Sequence, residues 1–210
     1  MLMAQEQGFW DRIAEKYAKK PVPDEAVYQR KLDVTRDYLR PDMEVLEFGC
    51  GTGSTAIAHA PFVRHILATD ISPKMLEIGR ERAAEAGVDN VEFRHVTVED
   101  LDVAPASIDA VLGLSILHLL DDRESAIAKV HDMLEPGGVF VSSTACLGDT
   151  MKWFRFVGPI GHALGLIPKV SVFSQDELLQ SMVDAGFEID HLWRPTKGAA
   201  VFVVARKPEA

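Results

Sequence analysis

Nine residues, Val45-Leu-Glu-Phe-Gly-Cys-Gly-Thr-Gly53, constrain this chain more than any other stretch. Val45, Leu46 and Phe48 read as the end of a strand buried on both faces, and Gly49, Gly51 and Gly53 follow at once. Residues 54–60 then have the small, apolar composition of a helix start. Strand, tight glycine turn and helix let bare backbone N–H groups approach a ligand, because glycine has no Cβ to hold it off. A dinucleotide site wants G-x-G-x-x-G, whose third glycine brings the helix close beneath a pyrophosphate. Here the third glycine comes one residue early, and Glu47 stands two positions before the first. A carboxylate at that place opposes a pyrophosphate and suits a ligand carrying an ammonium and a sulfonium.

Beyond the loop, strands alternate with helices. Strands are expected over 44–48, 65–69, 91–96, 107–114 and 139–144. Ser72-Pro73 starts a helix over 74–86, with proline at its first position and Gly87 as its stop. Asp121 or Asp122 caps a helix reaching 134, Glu135-Pro-Gly-Gly138 turns into the next strand, and Ser174-Gln-Asp-Glu177 is a capping box for a helix ending at Gly186. Residues 187–193 and 199–205 close the chain as a hairpin-like antiparallel edge. This order predicts an α/β fold with a parallel sheet covered by helices on both faces. Residues 8–39 read as two helices broken at 19–23, the first carrying Phe9, Trp10, Ile13, Ala14 and Tyr17 at helical spacing. Residues 153–173 break the rhythm: they are mostly apolar, with three glycines, two prolines, Arg155, Lys169 and no acid.

At 210 residues one domain is expected, divided into 1–40, 41–145, 146–175 and 176–210. The net charge of −10 argues against a nucleic-acid partner, since phosphate contacts need a basic face. Cys50 and Cys146 fit no zinc or C-x-x-C spacing, so reduced thiols in a cytoplasmic protein are the simple reading. No basic or apolar leader is seen in residues 1–8, and no stretch is apolar enough to span a membrane. The seven histidines show no ligand pairing, so no metal is expected.

The loop resembles the E/D-x-G-x-G-x-G motif of class I S-adenosylmethionine-dependent methyltransferases, and the resemblance extends over residues 9–207. It implies a Rossmann-like, doubly wound sheet of seven strands, mostly parallel with an antiparallel last strand, under a helical N-terminal lid. It implies S-adenosylmethionine as cofactor, bound by Glu47, Gly49, Cys50, Gly51 and Gly53, with Cys50 present for its small size and its N–H. Asp70 then accepts hydrogen bonds from the ribose hydroxyls, and Ile71 and Met75 pack on the adenine. After the third strand Thr97 replaces the family's usual aspartate, leaving the Val98 N–H with Thr97 or Glu99 as adenine contacts. The backbone at Leu114 and Ser115 matches the segment beside the methionine part, and His118 the histidine that faces the substrate, the candidate general base. From the lid, Tyr17, Tyr28 and Lys31 are candidates to reach the cofactor carboxylate.

The insert at 153–173 lies where such enzymes build a substrate cap, which makes Trp153, Phe154 and Phe156 candidate substrate contacts. No Asn/Asp-Pro-Pro-aromatic motif and no Pro-Cys pair is present, which with the acidic charge points to a small-molecule acceptor, apolar if the cap touches it. Transient contact of this insert with a membrane surface is a further expectation. Two other readings are a cofactor-binding module without catalysis and, less well supported, a nucleotide-cofactor oxidoreductase. Oligomeric state is not encoded in any pattern here.

Overall fold

The computed structural model describes residues 2–209; Met1 and Ala210, the two ends of the expected span, lie outside them. The described residues form seven strands, β1 (Glu44–Phe48), β2 (His65–Asp70), β3 (Val91–His95), β4 (Ile108–Leu114), β5 (Leu134–Thr144), β6 (Glu188–Trp193) and β7 (Val201–Arg206), with no helix between β3 and β4 or between β6 and β7. The helices are α1 (Leu2–Ala18), α2 (Glu25–Arg36), α3 (Ser54–His59), α4 (Pro73–Glu85), α5 (Arg123–Met133), α6 (Phe154–Ala163) and α7 (Gln175–Asp184). The sheet order is β3-β2-β1-β4-β5-β7-β6. β1 pairs in parallel with β2 and with β4, and β2 with β3, while β7 runs antiparallel to both β5 and β6. The expected seven-stranded, mostly parallel sheet with its antiparallel last strand is therefore present.

Contacts divide the chain into two compact units, Met1–Asp102 with Ile108–Leu112, and Val103–Ser107 with Gly113–Ala210. The core of the first is the β1 run Val45, Leu46 and Phe48 with Ile66, Leu67 and Ala68 of β2, all buried. Such continuous apolar strands are what a sheet covered on both faces requires. In the second, Phe140 and Val141 of β5 lie in register with Ala205 and Val204 of β7, and all four are buried.

Three boundaries differ from the sequence-based expectation. Helix α1 begins at Leu2, well before Gly8, because a Cβ at Gly8 would meet nothing within 4 Å and the helix tolerates one exposed glycine at about 1 kcal/mol. Strand β5 begins at Leu134, so residues 135–138 are not a free turn: Gly137 N–H donates to the Lys207 carbonyl and Lys207 N–H to that of Gly138, both at 2.9 Å. Helix α6 forms inside the insert although it contains Pro159 and two glycines.

Phe93 of β3 fixes how the glycine loop sits on α4. A Cβ at Gly53 would stand 2.7 Å from the Phe93 ring, and one at Gly79 of α4 2.8 Å from it. The ring is held between two backbones and cannot retreat from one without striking the other. Gly79→Ala is therefore expected to lower stability by about 1–3 kcal/mol despite its better helix propensity. Paired with Phe93→Leu the same change should become neutral or favourable, a coupling that denaturant unfolding of the double-mutant cycle will read.

Candidate functional site

In the first unit the site is built at the carboxyl ends of β1 and β2. Gly49, Gly51 and Gly53 all have positive φ, at 66°, 55° and 71°, a region that side chains with a Cβ rarely adopt. The loop is held by Cys50 N–H on the Thr69 carbonyl at 2.9 Å and by Gly51 N–H on Asp70 Oδ2 at 2.8 Å. The other carboxylate oxygen of Asp70 accepts the Ser72 N–H at 2.8 Å. Burial raises the Asp70 pKa above its ordinary value, with the N–H groups of Ser72, Gly51 and Ile71 opposing the shift.

Glu47 lies inside β1 and is buried, with Oε2 unpartnered. Burial pushes its carboxyl up to about 8; the Ala56 N–H works against this, and neighbouring Asp70 adds to it. Cys50 is buried as well, and burial holds it well above its usual value as a neutral thiol. That leaves it inert as a nucleophile.

The N-terminal helices bring two of the three candidate lid residues to this loop. The Tyr17 ring stands 3.8 Å from where a Cβ of Gly51 would be, packs edge-on against Trp10, and has its pKa raised by burial and by Asp70. Tyr28 is bonded to the Thr55 side chain and feels the Glu47 carboxyl. Lys31 is half-buried on α2, and burial lowers its pKa; none of the site's carboxyls contributes to that shift.

Two tethers that sequence reasoning missed hold α1 in place. Ser72 Oγ donates to Asp11 Oδ1 at 2.6 Å while accepting the Met75 N–H. Arg82 of α4 donates to the Ala18 carbonyl at 2.6 Å and to Thr52 Oγ1 at 2.7 Å. An aspartate and an arginine on exposed helix faces carry no local signal of such roles.

At the turn after β3, Thr97 Oγ1 donates to Asp100 Oδ2 and accepts the Asp100 N–H, so its hydroxyl serves the turn. Val98 is buried and Glu99 exposed. Ile71 offers its carbonyl to His95 Nε2 at 2.9 Å, another contact not foreseen, and Met75 is buried in the core.

In the second unit, Leu114 ends β4 and Ser115 takes φ of 59°, a strained value for a residue with a Cβ. Its N–H bonds the Ser143 carbonyl of β5 at 2.6 Å, which holds the strain in place. His118 follows in a short 3₁₀ turn. Its carbonyl accepts the Ser171 N–H at 2.8 Å, and Ser171 Oγ donates to the Leu120 carbonyl. The ring is largely buried with Nδ1 unpartnered, and burial pushes its pKa down to about 4. It is neutral at physiological pH, and its Nδ1 is buried.

The candidate cap residues diverge. Phe154 turns inward onto Gly158, where a Cβ would be 2.9 Å from its ring; Trp153 packs edge-on against Phe154; Phe156 faces solvent. Among the described residues, no group of His, Cys, Asp and Glu could hold a metal ion, and no helix is long and apolar enough to cross a membrane.

Residues 45–138 match the family described as "Methyltransferase domain". An uncharacterized methyltransferase of Bacillus subtilis is 32% identical over 102 residues, covering 49% of this chain and 40% of that protein. A ubiquinone biosynthesis O-methyltransferase of Paracidovorax citrulli is 31% identical over 126 residues, covering 60% of this chain and 52% of that one. The matches thus span about half the length of these curated relatives. Geranyl diphosphate C-methyltransferase from Streptomyces coelicolor shares the fold, with a TM-score of 0.75 at 17% identity over 98% of both chains.

The Glu47 shift has a testable consequence for stability. Folded Glu47 keeps its proton up to about pH 8, whereas the unfolded residue loses it near 4.5. Between those values the folded state binds more protons, so its contribution is full in acid and is lost as pH rises through about 8. Glu47→Gln keeps an acceptor for the Ala56 N–H. It should stay close to wild type near pH 5 and exceed it by on the order of a few kcal/mol above pH 8, read by denaturant unfolding.

Proposed function

We infer that this chain is a class I S-adenosylmethionine-dependent methyltransferase that transfers a methyl group from that cofactor to a small, apolar acceptor and releases S-adenosylhomocysteine, a reading supported by the match over residues 45–138 and by the fold. The observation that carries the reading is Glu47, a buried carboxyl with an unpartnered oxygen beside a glycine loop. A cationic ligand would favour the charged form of Glu47 and supply its missing partner, whereas a pyrophosphate would keep it neutral and face the Asp70 carboxylate at the same loop. When bound, S-adenosylmethionine supplies an electrophilic methyl group on a sulfonium.

The chain's own residues bind, orient and exclude water. Asp70 accepts N–H groups from Gly51 on one oxygen and Ser72 on the other, and two carboxylate oxygens with about four lone-pair sites still leave acceptors for the ribose hydroxyls. Tyr17 and Tyr28 cover the loop from the lid side. For the acceptor, the relatives named ubiquinone biosynthesis O-methyltransferases support a hydroxyl oxygen as the reacting atom. We assign to the His118 imidazole the role of base for that proton. Its low pKa makes it a weak base for a resting hydroxyl, but a hydroxyl grows more acidic as its oxygen gives up electron density.

Thermal shift and calorimetric titration with S-adenosylmethionine test the cofactor. Wild type should be stabilised, and Asp70→Ala should bind at least about 100-fold more weakly through loss of charge-assisted hydrogen bonds. Stabilisation by NADH in place of S-adenosylmethionine would restore the oxidoreductase reading.

His118→Gln should lower turnover by about 100-fold or more with cofactor affinity unchanged. Assays of transfer to quinone-precursor phenols give the measurement, and unaltered turnover removes His118 from the mechanism.

A further inference from the structure

Helix α6 is amphipathic in the wrong sense for a helix that closes a core. Trp153, Phe156, Val157, Ile160 and Leu164 recur at i, i+3, i+4, i+7 and i+11. At about 100° per residue these positions fall within an arc of about 100°. All five are exposed, from 42% at Val157 to 78% at Phe156, and Leu166 in the following turn is 69% exposed. The opposite side of the helix is already closed, with Phe154 against Gly158 and Ile167 within 3.0 Å of where a Cβ of Gly161 would be. Gly165, at φ of 67°, makes the return turn, its N–H bonded to the His162 carbonyl and the Leu166 N–H to that of Gly161.

The segment is held at its ends. Gly148 N–H donates to the Phe173 carbonyl at 2.7 Å, Arg155 to that of Val172 at 3.1 Å, and Ser171 N–H to that of His118. The apolar arc is therefore presented on a fixed loop.

Charge selects among the occupants. None of the chain's 32 acids lies between residues 150 and 173, although the whole chain carries −10. Lys169 pairs with Asp121 and Arg155, on the opposite side of the helix, bonds the Val172 carbonyl, while Lys152 is exposed on the flank of the arc. Area selects further: a helix of 10 residues is about 15 Å long, too small a strip for the roughly 800 Å² per partner of a stable protein interface. A bilayer interface needs no shape complement, accepts an apolar arc to a depth of about 5–10 Å, and favours tryptophan and flanking cations.

We propose that the outer face of α6 and the turn after it dock on the surface of an anionic lipid bilayer. This goes beyond the methyl-transfer reading and stands or falls without it, because its test uses neither cofactor nor acceptor.

The experiment is cosedimentation with sucrose-loaded vesicles, comparing phosphatidylcholine–phosphatidylglycerol mixtures with phosphatidylcholine alone. Wild type should sediment with the mixed vesicles, bind the neutral ones more weakly, and lose that preference as salt rises. Phe156→Glu with Ile160→Glu should lower the partition coefficient at least about tenfold, with thermal unfolding unchanged because both side chains are exposed. Lys152→Ser should weaken binding to mixed vesicles alone. Wild type left in the supernatant, or a double variant that partitions like wild type, overturns the proposal. So does a dimer in sedimentation velocity that the double variant dissolves in a protein that ignores vesicles, since a second copy would then be the occupant.

Discussion

One carboxylate, that of Asp70, holds the first unit's site together. Its two oxygens accept N–H groups from Gly51, in the loop after β1, and from Ser72, at the start of α4. The loop can offer its N–H only because three glycines adopt positive φ, and α4 can begin where it does only because Ser72 is anchored. Burying a carboxylate is costly, and charge-assisted hydrogen bonds offset much of that cost. They do not offset all of it, since burial still raises the Asp70 pKa. Its charge in turn helps to keep Glu47 protonated. A site that is acidic before any ligand enters selects for a cation.

The lid inherits its position from the same bonds. Ser72 caps α4 with its oxygen and donates its hydroxyl proton to Asp11, so the N-terminus of α4 and the middle of α1 share one side chain. Seven residues beyond Asp11, the Ala18 carbonyl meets Arg82, which also grips Thr52 of the glycine loop. Tyr17, just before that second tether, lands over Gly51. Loop, helix start and lid form one network, and no member of it can shift alone.

What was legible in the sequence were features with an unavoidable backbone consequence. The alternate glycines, Ser72-Pro73 and the box Ser174–Glu177 each dictate local geometry, and each stands where its spacing predicts. The parallel character of the sheet followed from alternation with helices, whereas its strand order did not. Less legible were contacts made by ordinary polar residues far apart in the chain, such as Asp11 with Ser72 and Arg82 with Ala18. The turn at Thr97 shows the same limit: replacing the usual aspartate announced an uncertainty, and only the structure reveals that its hydroxyl answers Asp100. Helix α6 was invisible for the opposite reason, because apolar residues at helical spacing ordinarily signal a core-facing stripe and here they face out.

The insert that carries this outward face is also tied to the segment of His118. The insert is not a free excursion: Gly148, where a Cβ would come within 2.5 Å of Phe173 backbone, brings its two ends into contact. Near its C-terminal end Ser171 grips the segment of His118 with both its N–H and its hydroxyl, the latter on Leu120. The insert that carries α6 and the segment of His118 are therefore joined by short backbone contacts rather than by a slack linker.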